Sequence, residues 1–298
     1  MSSLAPIALF AYRRPRHLRT TLDALLANPE AAHSDLWIFS DAAREPAAQS
    51  DVMQVRALAA EVSGFKSVRV IERSENLGLA RSIVDGVTTL CALHGRVIVV
   101  EDDLTVASGF LAFLNRALER YADEERVMQI SGYQFPGRFE AQQAAFLPLI
   151  SCWGWATWTR AWRHYDPSAA GVERLRADPG LRRRFDLDGI YDYSGMLESQ
   201  LAGKLDSWGV RWLLSVFLRD GLVLYPPVTL VENMGTDGSG THGAGVRELR
   251  GSPSAAAPEQ LVLPDAIEVD DRALQEVKRV LRSLRPGLLA RLIRRLVA

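Results

Sequence analysis

Residues Arg96-Val97-Ile98-Val99-Val100-Glu101-Asp102-Asp103 run from four consecutive β-branched side chains straight into three consecutive carboxylates. An apolar run of this length, bounded by polar residues, predicts a strand buried on both faces of a parallel sheet. Its carboxyl end is where open α/β sheets bind ligands. Three acids packed there repel one another and lose solvation unless a positive charge offsets them. A hard divalent cation carrying a diphosphate has that chemistry, since Mg²⁺ and Mn²⁺ take carboxylate and phosphate oxygens together. Capping of a following helix is the competing explanation, and it accounts for one or two of the acids. Because alternate residues of an extended strand share a face, Asp103 is the expected metal ligand, Glu101 shares its side, and Asp102 points elsewhere.

Outward from this strand the pattern alternates. Residues 6–12 (PIALFAY), 35–40 (DLWIFS) and 67–71 (SVRVI) predict strands, and residues 17–27, 52–62 and 79–93 predict the helices between and after them. Strand and helix in turn predict an α/β fold with a mostly parallel, Rossmann-like sheet. Beyond Asp103, residues 108–121 predict a helix, and 127–133 and 222–225 predict strands. The expected organisation is a domain over 1–250, with a nucleotide-binding half (1–130) and an acceptor and lid half (131–250), followed by a linker and C-terminal helix over 251–298.

The bulk properties are those of an ordinary globular chain. It has 298 residues, 48% of them hydrophobic, and a formal net charge of −1, which excludes a global field for nucleic acid. Cys91 and Cys152 lie in apolar surroundings and are expected to be reduced, buried thiols. No apolar run approaches the roughly 20 residues that span a bilayer. The first fifteen residues carry no charged region ahead of their apolar stretch, so a secretory signal is not expected. The expected location is cytoplasmic, with contact to the inner face of the cell membrane through residues 286–298. There Leu288, Leu289, Leu292, Ile293, Leu296 and Val297 share one helical face opposite Arg291, Arg294 and Arg295. Packing of that helix on its own domain, or on a second copy in a homodimer, is the alternative.

Several strand ends present polar groups to one rim. Ala11, Tyr12 and Arg13 end the first strand and can meet base, ribose or phosphate. Asp41 ends the second and is either a ribose or base contact or a cap. Asn76, with Arg81 a turn later, is either a nucleotide contact or an ordinary loop-to-helix turn. Trp153, Gly154, Trp155 and Trp158 form either a rigid apolar wall for a sugar or part of the core. Among Asp186, Asp188, Asp192, Glu198 and Asp206 the sequence itself does not choose a general base. His242, in the glycine-rich stretch 233–245, is a metal or phosphate contact on a closing loop, or a solvated surface residue.

Taken together, residues 6–245 resemble glycosyltransferases of the GT-A fold. The likeness is nearest to bacterial relatives of the N-acetylglucosaminyltransferase I type, in which Glu-Asp-Asp replaces Asp-x-Asp. The PIALFAYRRP strand and turn, Asn76-Leu77-Gly78, the acid triplet, Trp-Gly-Trp and the late Gly/His loop carry this resemblance. It implies a nucleotide-sugar donor, with a UDP-sugar the first choice, and a glycan or lipid-linked acceptor. It also implies Mn²⁺ or Mg²⁺ on Asp103, His242 near the diphosphate, inversion at the anomeric carbon, and Asp206, before Trp208, as base. The animal enzymes have two adjacent acids in that segment, whereas Ser207 follows Asp206 here. The expected role is cell-surface polysaccharide or glycoconjugate synthesis. A catalytically silent glycan- or nucleotide-binding protein of the same fold is the alternative. A sugar nucleotidylyltransferase is disfavoured, because residues 10–15 contain no glycine.

Overall fold

The computed structural model describes residues 3–140, 143–235 and 261–283. The alternating pattern of the first hundred residues is realised. Strands β1 (Ile7–Ala11) and β2 (Asp35–Ser40) flank helix α1 (Pro15–Leu26), and α2 (Gln49–Ala60) leads to β3 (Ser67–Glu72). Then α3 (Gly78–His94) returns to β4 (Arg96–Glu101), the strand of the acid triplet. Helix α1 starts on Pro15, whose fixed φ suits a first turn, and buries Leu18, Leu22 and Leu25. Helix α3 stops at Gly95, which takes φ +78° to turn the chain sharply into β4.

Val97 to Val100 are all at most 1% exposed, which is why four β-branched residues stand in a row. Burying each contributes on the order of 2 kcal/mol as an upper estimate. After the triplet come β5 (Leu104–Val106), α4 (Phe110–Arg120), β6 (Val127–Ser131), β7 (Ala145–Leu147) and β8 (Trp155–Trp158). Helices α5 (Thr159–Trp162), α6 (Val172–Ala177), α7 (Pro179–Phe185), α8 (Tyr193–Leu201) and α9 (Trp208–Phe217) follow, then β9 (Leu222–Tyr225), β10 (Val231–Asn233) and α10 (Asp271–Ser283).

Eight strands form one sheet in the order β3-β2-β1-β4-β8-β6-β9-β7. β3, β2, β1 and β4 are mutually parallel, as are β6 and β9; β8 runs against both β4 and β6, and β7 against β9. This is a mixed α/β fold with a large, mostly parallel sheet flanked by helices. The two expected halves share the sheet without a break, because β8 and β6 continue it directly from β4. A second, two-stranded sheet pairs β5 with β10 and brings the chain at Asn233 back to Leu104, beside the triplet.

The chain beyond residue 260 is not a free tail where it is described. Tyr121 Oη donates to Pro264 O (2.7 Å), Arg126 to Ile267 O (3.0 Å), and Asp270 N to Phe146 O (3.0 Å). Val277 and Leu281 of α10 complete the core. The expected helix over 286–298 lies outside the described residues, as do the linker at 252–258 and His242. Among the described residues no helix is long and apolar enough to cross a membrane.

Candidate active site at the carboxyl edge of the sheet

Asp102 and Asp103 leave β4 at 3% and 8% exposure. Asp102 is held from several directions. Its backbone N–H donates to Phe10 O (3.0 Å), and its carbonyl accepts from Thr21 Oγ1 (2.8 Å). Its carboxylate accepts from Tyr12 N (3.2 Å) and from Arg14 (2.5 Å). Asp103 makes a second ion pair to the same guanidinium, Arg14 Nη1 to Oδ2 at 3.0 Å. Its other oxygen, Oδ1, is buried and has no hydrogen-bond partner among the described residues. Met234 N donates to Asp103 O (2.8 Å), and Gly235 lies so close to Oδ2 that a Cβ there would overlap it.

The electrostatics follow from this crowding. Burial, then Asp103, then Asp102 push the half-buried Glu101 carboxyl well above its usual range, and Arg14 opposes them only partly. Burial likewise raises Asp102 against the pull of Arg14. Burial alone would lower the Arg14 guanidinium, but the two aspartates outweigh it and hold the proton more tightly still. Arg14 is thus the resident counter-ion of the triplet. The sequence offered the neighbouring arginines of residues 10–15 for phosphate; Arg13 is exposed and pairs with Glu45 (3.2 Å). The available signal was Pro15, which begins α1 and turns the residue before it back over β4.

The rest of the rim is partly as expected. Ala11 is buried at the end of β1, and Tyr12 stands beside it, its hydroxyl accepting from Arg44 N (3.0 Å). At Asp41 the contacts are those of the capping alternative. Its carboxylate accepts from Ala42 N (3.0 Å), Leu77 N (2.9 Å) and Gly78 N (3.0 Å) and is 6% exposed, so it clasps two loops together rather than facing a ribose. Asn76 completes the clasp by donating to Ala42 O (2.7 Å). Arg81 projects into solvent near Glu75 at 3.9 Å.

The tryptophans divide. Trp155 is wholly buried, stacked on Trp208 at 4.9 Å, and Trp158 is buried with its Nε1 donating to Leu118 O (3.0 Å). Neither has a face for a sugar, because both belong to β8, a central strand covered on both sides. Gly154, at φ +58°, makes the turn into that strand, against Phe110 and Val231. Trp153 alone stays half-buried at the rim, its ring edge-on to Tyr133 at 4.8 Å. The register that pairs Val99 with Trp155 runs on toward Glu101 and Trp153. Cys91 and Cys152 are free, their thiols pushed up to about 12, by burial in each case.

Asp206 is exposed on the loop before α9 and comes to the same edge. A Cβ built on Gly78, which has φ +74°, would lie 3.7 Å from Asp206 Oδ2. The other four candidate acids have other duties: Asp186 and Asp192 bond helix-start residues, Asp188 pairs with Lys278 and Glu198 with Arg176. Among the described residues no three His, Cys, Asp or Glu side chains are arranged to hold a metal by themselves. Asp103 Oδ1 nevertheless fits an ion that takes one or two carboxylates and completes its shell from phosphate and water.

No family model matches this sequence, and no curated protein matches it. Several solved structures are similar to it at low identity and low TM-score. The mannosyltransferase PcManGT from Pyrobaculum calidifontis, solved with GDP-Man and Mn²⁺, is 12% identical over 73% of this chain and 74% of its own, with a TM-score of 0.37. Mouse xyloside xylosyltransferase 1 is 12% identical over 72% and 82%, TM-score 0.37. The 4-diphosphocytidyl-2C-methyl-D-erythritol synthase of Anaerococcus prevotii is 12% identical over 74% and 86%, TM-score 0.37. At this distance they assign no role to any residue here.

Proposed function

We propose that this protein is a metal-dependent, inverting glycosyltransferase that moves a sugar from a nucleotide-sugar donor to a hydroxyl of a glycan. The carrying observation is Asp103: nine-tenths buried at the carboxyl end of β4, one oxygen unpartnered among the described residues, beside a guanidinium suited to phosphate. A buried carboxylate oxygen without a partner is costly, and a ligand that satisfies it removes that cost.

Asp103 would hold Mn²⁺ or Mg²⁺, which when bound offsets charge on the departing diphosphate. Arg14 binds a phosphate through its planar fork. Tyr12 and the clasped loops at Asp41 and Asn76 shape the rim on which a nucleoside lies. Trp153 offers the one exposed indole edge to a sugar. Asp206, exposed and close to Gly78, takes the proton of the attacking hydroxyl as the new glycosidic bond forms and the bond to the diphosphate breaks.

The test is a panel of nucleotide sugars with Mn²⁺, read as released nucleoside diphosphate and as a shift in melting temperature. The wild type should respond to at least one donor. Asp103→Asn should lower release about 100-fold or more. Asp206→Asn should keep the donor-induced shift while losing release. A wild type that no donor stabilises returns the protein to the silent, glycan-binding reading.

A further inference from the structure

We infer that Arg14 is an exchange residue: it rests on Asp102 and Asp103 and transfers to the diphosphate of the arriving ligand, so that anion binding frees Asp103 for a cation. The inference rests on the donor reading above and adds a residue and an order of events to it.

The two carboxylates do not hold Arg14 equally. Asp102 is fixed by Tyr12 N as well as by Arg14, and its backbone is tied to Phe10 and Thr21. Asp103 is tied at its backbone by Met234 N (2.8 Å), but among the described residues its carboxylate has only the Nη1 contact at 3.0 Å, and its Oδ1 is buried without a partner there. Arg14 can therefore leave Asp103 while its Nη2 stays on an Asp102 carboxylate that Tyr12 N holds in place. Arg14 is also the most open member of the trio, with a side chain 21% exposed against 4% for Asp102 and 11% for Asp103. One edge of its fork can meet an incoming group while Asp102 keeps the other.

An incoming diphosphate meets further help. Arg14 stands at the N-cap position of α1, a helix of 12 residues with no acid in its first turn and no side-chain cap, so the positive end of that helix reinforces the guanidinium. Phosphate oxygens match the fork in two-point geometry as a carboxylate does, and a diphosphate carries more charge than Asp103. While Arg14 sits on Asp103, its charge opposes a second cation there. Once Arg14 has moved to phosphate, Asp103 presents both oxygens, and a cation between carboxylate and phosphate no longer competes with it.

The experiment uses the full chain and two probes, each titrated alone by calorimetry: Mn²⁺, and inorganic pyrophosphate in the presence of chelator. The wild type should bind pyrophosphate without metal and bind Mn²⁺ alone weakly. Arg14→Gln should lose affinity for pyrophosphate about tenfold or more, yet gain affinity for Mn²⁺ by about tenfold. Arg14→Lys, which keeps the charge without the fork, should fall between the two in both titrations and guards against misfolding of the glutamine variant. Adding Asp103→Asn to Arg14→Gln should erase the Mn²⁺ gain. Unchanged pyrophosphate affinity, or unchanged Mn²⁺ affinity, in a folded Arg14→Gln protein overturns the exchange. If both titrations behave as expected and no nucleotide sugar is consumed, the glycosyl-transfer reading fails while Arg14's role stands.

Discussion

Asp102 and Asp103 are neighbours in sequence, both buried, and their partners give them different duties. Asp102 holds Tyr12 N and Arg14 together, so Asp102→Ala should leave a backbone N–H unmet and Arg14 paired with Asp103 alone. The expected loss is about 2 kcal/mol in chemical unfolding. Asp103→Ala leaves Arg14 paired with Asp102 and removes one of three crowded carboxylates, so less than about 1 kcal/mol is expected. Equal losses from the two variants would contradict this division. The sequence made Asp103 the ligand and turned Asp102 away, by strand alternation alone. It did not reveal the pairing of Arg14 with the triplet, because the contact depends on how tightly Pro15 turns the chain back over β4, and no spacing rule encodes that angle.

At the scale of elements, the parallel strands and the first three helices were legible because each carries a strong period and a clean boundary. Helix α1 is expected at 17–27 and found at Pro15–Leu26, and the strand expected at 127–133 ends at Ser131. What the sequence hid was short or reversed: β5, β7, β8 and β10 have three or four residues each, too few for a period to emerge. For the same reason the tryptophans of β8 could be read as wall or core until the strands on either side of it were placed.

Helix α10 illustrates an element whose docking depends on a charge. Glu276 accepts from Arg138 N (2.6 Å) and from Arg279 Nε (2.9 Å). The Arg279 hydrogen bond, then the Arg138 backbone bond, pull its carboxyl down to about 2 from an ordinary 4.5. A depressed folded value means that the ionised form stabilises the fold. The contribution is whole above pH 4.5 and disappears as pH falls from there toward 2. Glu276→Gln should therefore cost about 1 kcal/mol at pH 7 after allowance for solvent screening. Below pH 2 it should match the wild type. A difference in unfolding free energy that persists unchanged into acid would exclude this account.

At the scale of the whole molecule, the aromatic cluster joins the parallel part of the sheet to the helices beyond it. Trp155 stacks on Trp208 at 4.9 Å and tilts on Trp162 at 5.8 Å, while Trp162 meets Trp212 at 5.0 Å. Trp155→Ala should cost about 4 kcal/mol in global stability, as large buried aromatics do. A stable Trp155→Ala protein that lost only sugar binding would restore the wall reading.

The place of β8 also sets a schedule for biosynthesis. β4 lies between β1 and β8, and β8 is made more than fifty residues after it. As the chain emerges from the ribosome, β1 to β4 can assemble early, but the far edge of β4 stays open until Trp158 has been translated. Trp155 finds its stacking partner only with Trp208. Throughout that interval the strand that ends in three acids has one unpaired side, a template for wrong pairing. The charges that await a ligand in the finished protein also end the open edge with like-charged groups, and two nascent copies brought together there would repel.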